Sequence, residues 1–260
     1  MLAVLSPAKK MNETRSTPLA LSAPRLDRDA RELIPVAEAL STAELKSLMK
    51  LSDALAELNT SRFTDFESQA EHPAALLFDG DTYWGLDAKS LDADALREAD
   101  GRLRILSGLY GLLRPLDRVR PYRLEMGTKL ANPRGADLYQ FWGTAIADAL
   151  REDMAGHEEE AVLNLASREY SSAIDRAALD RPVVTATFLQ VRDGEARNLG
   201  MFAKRARGQL ARWVVDNRVD RVEGAKDFAY GGYGFDAGRS TAEEYVFTRA
   251  QPEPKSKAKR

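Results

Sequence analysis

Three carboxylates, Asp81, Glu125 and Glu169, stand at loop or strand ends, where a general acid or base can be held against a substrate. Their spacing alone does not pair them. Polar blocks lie near them: Ser6-Pro7-Ala8-Lys9 after the apolar N-terminal run, residues 164–170 after a second apolar run, and Arg123 two positions before Glu125. Polar blocks at strand ends are where ligand sites sit. One reading therefore has them converge near Lys9, Arg123, Glu125 and Glu169 on a pocket for an enzyme acting on a phosphorylated or nucleotide ligand. Other chemistries are removed by residue type. The 260 residues contain no cysteine and only two histidines, so thiolate nucleophiles, disulfides, iron–sulfur ligation and zinc clusters drop out. His157, in Gly-His-Glu-Glu-Glu, and His72, before Pro73, read as surface residues. No Walker loop and no G-x-S-x-G is present, and Gly232-x-Gly234-x-x-x-Gly238 is one residue too long for a dinucleotide fingerprint. Glu-x-x-His pairs for a di-iron bundle are missing too. No metal or cofactor is expected.

Charge is distributed unevenly. The formal net charge is −2, yet residues 26–100 hold 17 Asp/Glu against 7 Lys/Arg, and residues 102–134 hold 8 Lys/Arg against 2 Asp/Glu. The sign changes near Gly101. A second basic segment, residues 196–218, carries 6 Lys/Arg and 1 acid, and residues 255–260 add four more positive charges. Basic regions attract phosphate-bearing partners. The apolar runs stay far below the roughly 18 residues a membrane helix needs, and the N-terminal run is too short for a signal segment. A cytoplasmic protein is expected.

The elements that position these groups read as a mixed pattern. Residues 1–6 predict a strand. Ser41-Thr-Ala-Glu44 is a capping box, with Leu45, Leu48, Met49, Leu55 and Leu58 following at helical spacing, while Pro35 interrupts the helix before it. Residues 76–78 predict a short buried strand leading into a loop over residues 79–85. Residues 102–113 begin as an alternating basic and apolar strand and turn at two close glycines. Leu138, Phe141, Trp142, Ala145, Ile146, Ala149 and Leu150 predict one amphipathic helix whose aromatic face packs in the core. Residues 161–165 read as a strand, residues 183–191 and 195–201 as a hairpin across Asp193-Gly194, and residues 245–248 as a last strand. On the helix predicted for residues 202–218, Phe202, Ala203, Ala206, Leu210, Trp213 and Val214 share one arc and Lys204, Arg205, Arg207, Arg212 and Arg218 the other. Like charges at these spacings repel, so the unmixed basic face points to an anionic partner.

The opening Met-Leu-Ala-Val-Leu-Ser6-Pro7-Ala8-Lys9, the run Leu106-Ser-Gly-Leu-Tyr-Gly111-Leu-Leu-Arg114-Pro115-Leu-Asp and the block Pro121-Tyr-Arg123-Leu-Glu125-Met-Gly127 resemble the peroxide stress protein YaaA family. Further blocks follow in the same order over almost the whole chain: Asp137-Leu-Tyr-Gln-Phe-Trp142-Gly, Asn164-Leu-Ala-Ser167-x-Glu169-Tyr170 and Ala203-Lys204-x-Ala206-Arg207-Gly208. The resemblance implies a hydrogen peroxide stress response protein that lowers unincorporated intracellular iron and limits the damage it causes. It also implies DNA binding in a positively charged cleft, a curved mixed sheet surrounded by helices (the cantaloupe-type fold) and a helix-hairpin-helix element. Two places compete for that element: the turn from Ser107 to Gly111 with Arg104 and Arg114 beside it, and the helical pair joined near Leu40 and Ser41. The resemblance further implies threonine in relatives at the position of Lys10 and a basic residue at that of Asp79.

Together these readings predict a mixed α/β (α+β) domain over residues 1–250 and a basic, disordered tail over residues 251–260. It would bind double-stranded or distorted DNA through phosphates with low sequence specificity. Lys9, Lys10, Arg104, Arg114 and Arg123 would line one side of the groove, and Lys204, Arg205, Arg207 and Arg212 the other. A long basic groove would favour DNA; a closed pocket with Lys9, Glu125 and Glu169 inside would favour a small ligand.

Overall fold

Five consecutive apolar residues open the chain, and a strand with no polar position must be covered on both faces. Leu2–Leu5 accordingly forms a fully buried strand at the middle of an eight-stranded mixed sheet. The computed structural model describes residues 1–252, and the basic tail expected to follow lies outside them apart from Gln251 and Pro252. Leu2–Leu5 pairs in parallel with Leu103–Ser107 on one side and Val162–Asn164 on the other. Beyond Val162–Asn164 come Val183–Arg192 and Glu244–Ala250, also parallel. Both edges are antiparallel: Gly111–Leu113 returns on Leu103–Ser107, and Gly234–Phe235 on Glu244–Ala250. Glu195–Arg197 folds back on Val183–Arg192 across Asp193 and Gly194, whose φ values of 52° and 80° give the primed turn that matches strand twist.

The order along the sheet places a crevice. From Leu2–Leu5 the chain crosses to Leu103–Ser107 on one side, returns to Val162–Asn164 on the other, and continues outward to Val183–Arg192. The strand order therefore reverses between Leu2–Leu5 and Val162–Asn164, and such a reversal leaves a crevice at the carboxyl ends of the two strands.

Local chemistry set several helices as the sequence predicted and others not. Ser41 and Glu44 make the reciprocal capping box that starts Thr42–Met49. That helix stops at Lys50, which turns left-handed, and Ser52 caps a separate helix, Asp53–Thr64, on which Leu55 and Leu58 face solvent. Pro35 does not interrupt its helix: Asp27–Glu38 runs through it, because Pro35 lies on the exposed face, where the carbonyl that loses its N–H partner meets water. Ala74–Leu77 is one helical turn after Pro73 instead of a strand, leaving only Phe78–Asp79 extended. The predicted loop that follows is a helix, Asp81–Leu86. The aromatic helix divides into Leu138–Trp142 and Ala145–Met154 at Gly143, whose φ of 46° ends the first segment, although its apolar face is buried as expected.

The basic helix spans Gly200–Asp216 and buries Ala203, Ala206, Leu210 and Val214 against the sheet. It crosses Asp81–Leu86 at two glycines. A Cβ on Gly208 would sit 1.8 Å from the Thr82 carbonyl oxygen, and one on Gly85 would sit 2.1 Å from that of Arg205. Two backbones can approach this closely only without side chains between them. The buried apolar residues form one core from Met1 to Phe247, and no helix of the described residues is long and apolar enough to cross a membrane.

Candidate functional site

Because Leu2–Leu5 and Val162–Asn164 are parallel neighbours, the polar blocks that follow them leave the sheet at the same edge. They are joined across the crevice: the Ser167 N–H donates to Ser6 Oγ at 2.8 Å, and Ser6 Oγ lies 3.3 Å from Ser167 Oγ. Residues 122–125 form another wall. They run so close to Gly108 that a Cβ there would meet the Leu124 carbonyl at 2.3 Å, and Tyr122 is fixed by a 2.6 Å bond to Ser107 Oγ. The Gly127 N–H donates to Glu169 Oε1 at 3.1 Å, tying this wall to the loop after Val162–Asn164. The crossing of Asp81–Leu86 with Gly200–Asp216 supplies Asp81 and Thr82 from one helix and Lys204 and Arg207, one turn apart, from the other. The cavity so enclosed measures about 350 Å³.

Its charges are arranged unequally. Glu125 Oε1 takes Lys9 Nζ at 3.0 Å and Arg123 Nε and Nη2 at 3.2 and 3.0 Å, which leaves Oε2 without a donor among the described residues. Among the same residues Glu169 is engaged through Oε1 alone. Asp79 is buried on Lys10 at 2.8 Å, Arg15 at 3.1 Å and Trp84 Nε1 at 2.9 Å; the Lys10 bond above all holds its carboxyl below its ordinary value. Lys10 and Asp79 also face each other in register on a two-residue strand pair. Burial pushes the Tyr122 and Tyr170 phenols far up, so both line the cavity as neutral hydroxyls. Arg207 has no such neutralisation. Its Nε is buried without a hydrogen-bond partner, no carboxylate of the described residues reaches its guanidinium, and burial pulls its pKa below the ordinary arginine value.

The nine basic residues expected along one groove do not come together. Lys9, Lys10, Arg123, Lys204 and Arg207 line the cavity. Arg205 lies outside it, in a neighbouring depression of about 280 Å³ with Arg15, Lys89 and Trp84, whose indole is half-exposed. Arg212 is held by Asp216, Ser90 Oγ and the Asp87 carbonyl. Arg114 is paired with the fully buried Asp117 and donates to the Ala23 carbonyl. Arg104 must be removed from any groove. It is buried in the sheet, where its Nε meets Asp153 at 2.6 Å and its Nη1 donates to the carbonyls of Asp100 and Leu103. The turn from Ser107 to Gly111 joins two antiparallel strands, which excludes it as a helix-hairpin-helix; the pair Asp27–Glu38 and Thr42–Met49 does have helices on both sides of its turn. His157 is not a free surface residue, since its Nδ1 bonds Asp220 at 2.8 Å beside the N-terminal ammonium.

Sequence reasoning picked out Asp81, Glu125, Glu169 and the two strand-end blocks. It passed over Tyr122 as a lining group and the helix that carries Thr82; Tyr122 lay inside the block Pro121-Tyr-Arg123, and Gly85 hid the helix by reading as loop. Fold and site together define a mixed α/β protein with a charged crevice where its parallel strand order reverses. The chain belongs to the peroxide stress protein YaaA family, which it matches over residues 1–239. It is similar to a UPF0246 protein of Caulobacter vibrioides (strain NA1000 / CB15N), 49% identical over 255 residues, covering 97% of this chain and 100% of that one. A UPF0246 protein of Cereibacter sphaeroides (strain ATCC 17029) is 52% identical over 256 residues, covering 96% and 100%.

Proposed function

We propose that this peroxide stress protein works by binding a small phosphorylated ligand in the crevice, with Glu125 or Glu169 placed to accept or donate a proton on it. The observation that carries this reading is the enclosure of carboxylates and unneutralised cations in one cavity at the reversal point of the sheet. Isothermal titration of the full chain with ribose 5-phosphate and glucose 6-phosphate tests it. Saturable binding that is lost on replacing Lys204 and Arg207 together is expected. Absence of saturable binding by either sugar phosphate up to the millimolar range overturns it.

A second reading, DNA binding, is favoured by a separate observation. Lys204 and Arg205 are exposed and make no ion pair among the described residues, and Trp84 offers a half-exposed ring beside Arg205. Such a surface suits double-stranded or distorted DNA held through phosphates with little sequence preference. Fluorescence anisotropy across a salt series tests it: the slope of log affinity against log salt falls by roughly one for each phosphate contact removed in a Lys204→Ala, Arg205→Ala variant. An unchanged slope overturns it. In either reading the protein acts in the cytoplasm, and its output is a smaller pool of unincorporated iron with less damage to DNA and protein. Among the described residues no group of three His, Cys, Asp or Glu side chains is arranged to hold a metal ion.

A further inference from the structure

We infer that the crevice ligand is a nucleoside monophosphate, its phosphate held by Arg207 and Lys204 and its sugar hydroxyls by Glu125 and Glu169. This rests on the small-ligand reading and narrows it to one chemical class.

The argument begins with Arg207. Its Nε is buried and its charge is unmatched, and buried polar groups and charges in folded proteins are ordinarily partnered. Other arginines with a buried, unpartnered Nε, Arg120 and Arg249, use their remaining nitrogens on Glu71 and on the Gly231 carbonyl, whereas Arg207 makes no hydrogen bond or ion pair with any described residue. The helix that carries it is packed closely on Asp81–Leu86 at the Gly85–Gly208 crossing, and Arg207 lines the cavity. An anion supplied by the ligand completes it. Lys204, one helical turn away and without an ion pair among the described residues, joins it on that wall, and the two cations outweigh Asp81 beside them, which favours an anion such as a phosphate monoester.

The opposite wall asks for neutral donors. Glu125 Oε2 and Glu169 Oε2 lack donors among the described residues, and the two carboxylates are balanced there by Lys9 and Arg123, so that corner carries no net charge. A charge-balanced corner does not call for a further cation, and its two free carboxylate oxygens fit the two hydroxyls of a ribose. Between the polar groups the lining is apolar or aromatic, from Pro7, Leu124, Leu165, Tyr122 and Tyr170, which suits a flat base. About 350 Å³ accommodates such a ligand.

Isothermal titration of the full chain tests the assignment with AMP, GMP, CMP and UMP, the matching nucleosides, ribose 5-phosphate and glycine. At least one nucleotide is expected to bind about tenfold or more tighter than its nucleoside and than ribose 5-phosphate, and its 2′,3′-dideoxy analogue about tenfold weaker, the size expected for hydrogen bonds to charged groups. Arg207→Met should weaken the nucleotide about tenfold or more, leave the nucleoside unchanged and leave the thermal midpoint of the ligand-free protein undiminished; Arg205→Met, outside the cavity, should change neither. If ribose 5-phosphate binds as tightly as every nucleotide, the nucleotide assignment falls and the small-ligand reading stands. If no phosphorylated compound binds, both fall. Glycine binding in place of the nucleotides, or nucleotide affinity indifferent to Arg207→Met, overturns the assignment of the walls.

Discussion

The two basic segments of the chain look alike in sequence and do opposite things in the fold. In residues 102–134 nearly every arginine is used internally: Arg102 on Glu98 and Asp220, Arg104 on Asp153, Arg114 on Asp117, Arg120 on Glu67 and Glu71, Arg134 on Asp29 and Glu32. Several of these partners come from the acidic stretch of residues 26–100, so the change of sign near Gly101 marks two segments that neutralise each other. On Gly200–Asp216, by contrast, Lys204, Arg205 and Arg207 meet no carboxylate of the described residues. A run of positive charge in a sequence therefore says little about partners until its internal counter-charges are known; the availability of the cation, not its number, carries the functional information.

Breaking the internally satisfied side has the largest expected effect. Arg104 and Asp153 are each only 6% exposed, and Asp153→Ala leaves the Arg104 guanidinium buried without its carboxylate. The loss expected is about 3–5 kcal/mol, read as a lower midpoint in urea. A change below about 1 kcal/mol would mean that water or the neighbouring carbonyls solvate Arg104, and the contrast with Arg207 would weaken. Gly208→Ala comes next. Its new Cβ would overlap the Thr82 backbone oxygen, which cannot rotate away, so the helices must separate at a cost of about 1–3 kcal/mol. The same variant should weaken ligand binding, because it shifts Arg207 relative to Asp81–Leu86.

The third test concerns pH. Burial on its own would push the Asp220 carboxyl up, but hydrogen bonds from the N-terminal ammonium, the Glu158 N–H and His157 outweigh it and hold the group well below the usual carboxylate range. A folded-state pKa below the unfolded one means that the stabilisation is fully present above the unfolded value near 4 and is lost as pH falls through the depressed folded value. Asp220→Asn should therefore lower stability at neutral pH by on the order of 1–2 kcal/mol, and the gap to the parent should close on acidification. Parallel acid-limb curves would refute the linkage.

Legibility in the sequence follows the range of the interactions. The buried strand Leu2–Leu5, the capping box at Ser41 and Glu44 and the Asp193-Gly194 hairpin rest on neighbours a few residues apart, and the sequence predicted each. Asp81–Leu86 was not legible: Gly85 lowers helix propensity, and its reason for being there is a helix more than a hundred residues away. Arg104 reads as the basic residue of an alternating strand, and only its long-range pairing with Asp153 shows that it is interior. The strand-end blocks were legible as polar residues after apolar runs; that they meet in one crevice follows from the sheet order, which no local signal encodes.

The smallest expected effect has the opposite sign and bears most directly on the comparison. Arg207→Met keeps the length and much of the volume of the side chain while removing a half-buried cation that has no partner among the described residues. If Arg207 belonged with the internally used arginines, its loss would lower stability as loss of Asp153 does. If it is reserved for a ligand, the ligand-free protein is relieved of an unpaired charge and gains on the order of 0.5–1 kcal/mol, the size typical of stabilising changes at functional positions. Burial already pulls the pKa of this guanidinium down with no carboxylate to offset it, which is the same cost seen in the protonation equilibrium. Differential scanning calorimetry of parent and variant in phosphate-free buffer decides between the two: a raised midpoint separates the two basic segments by function, and a lowered one places Arg207 among the structural charges.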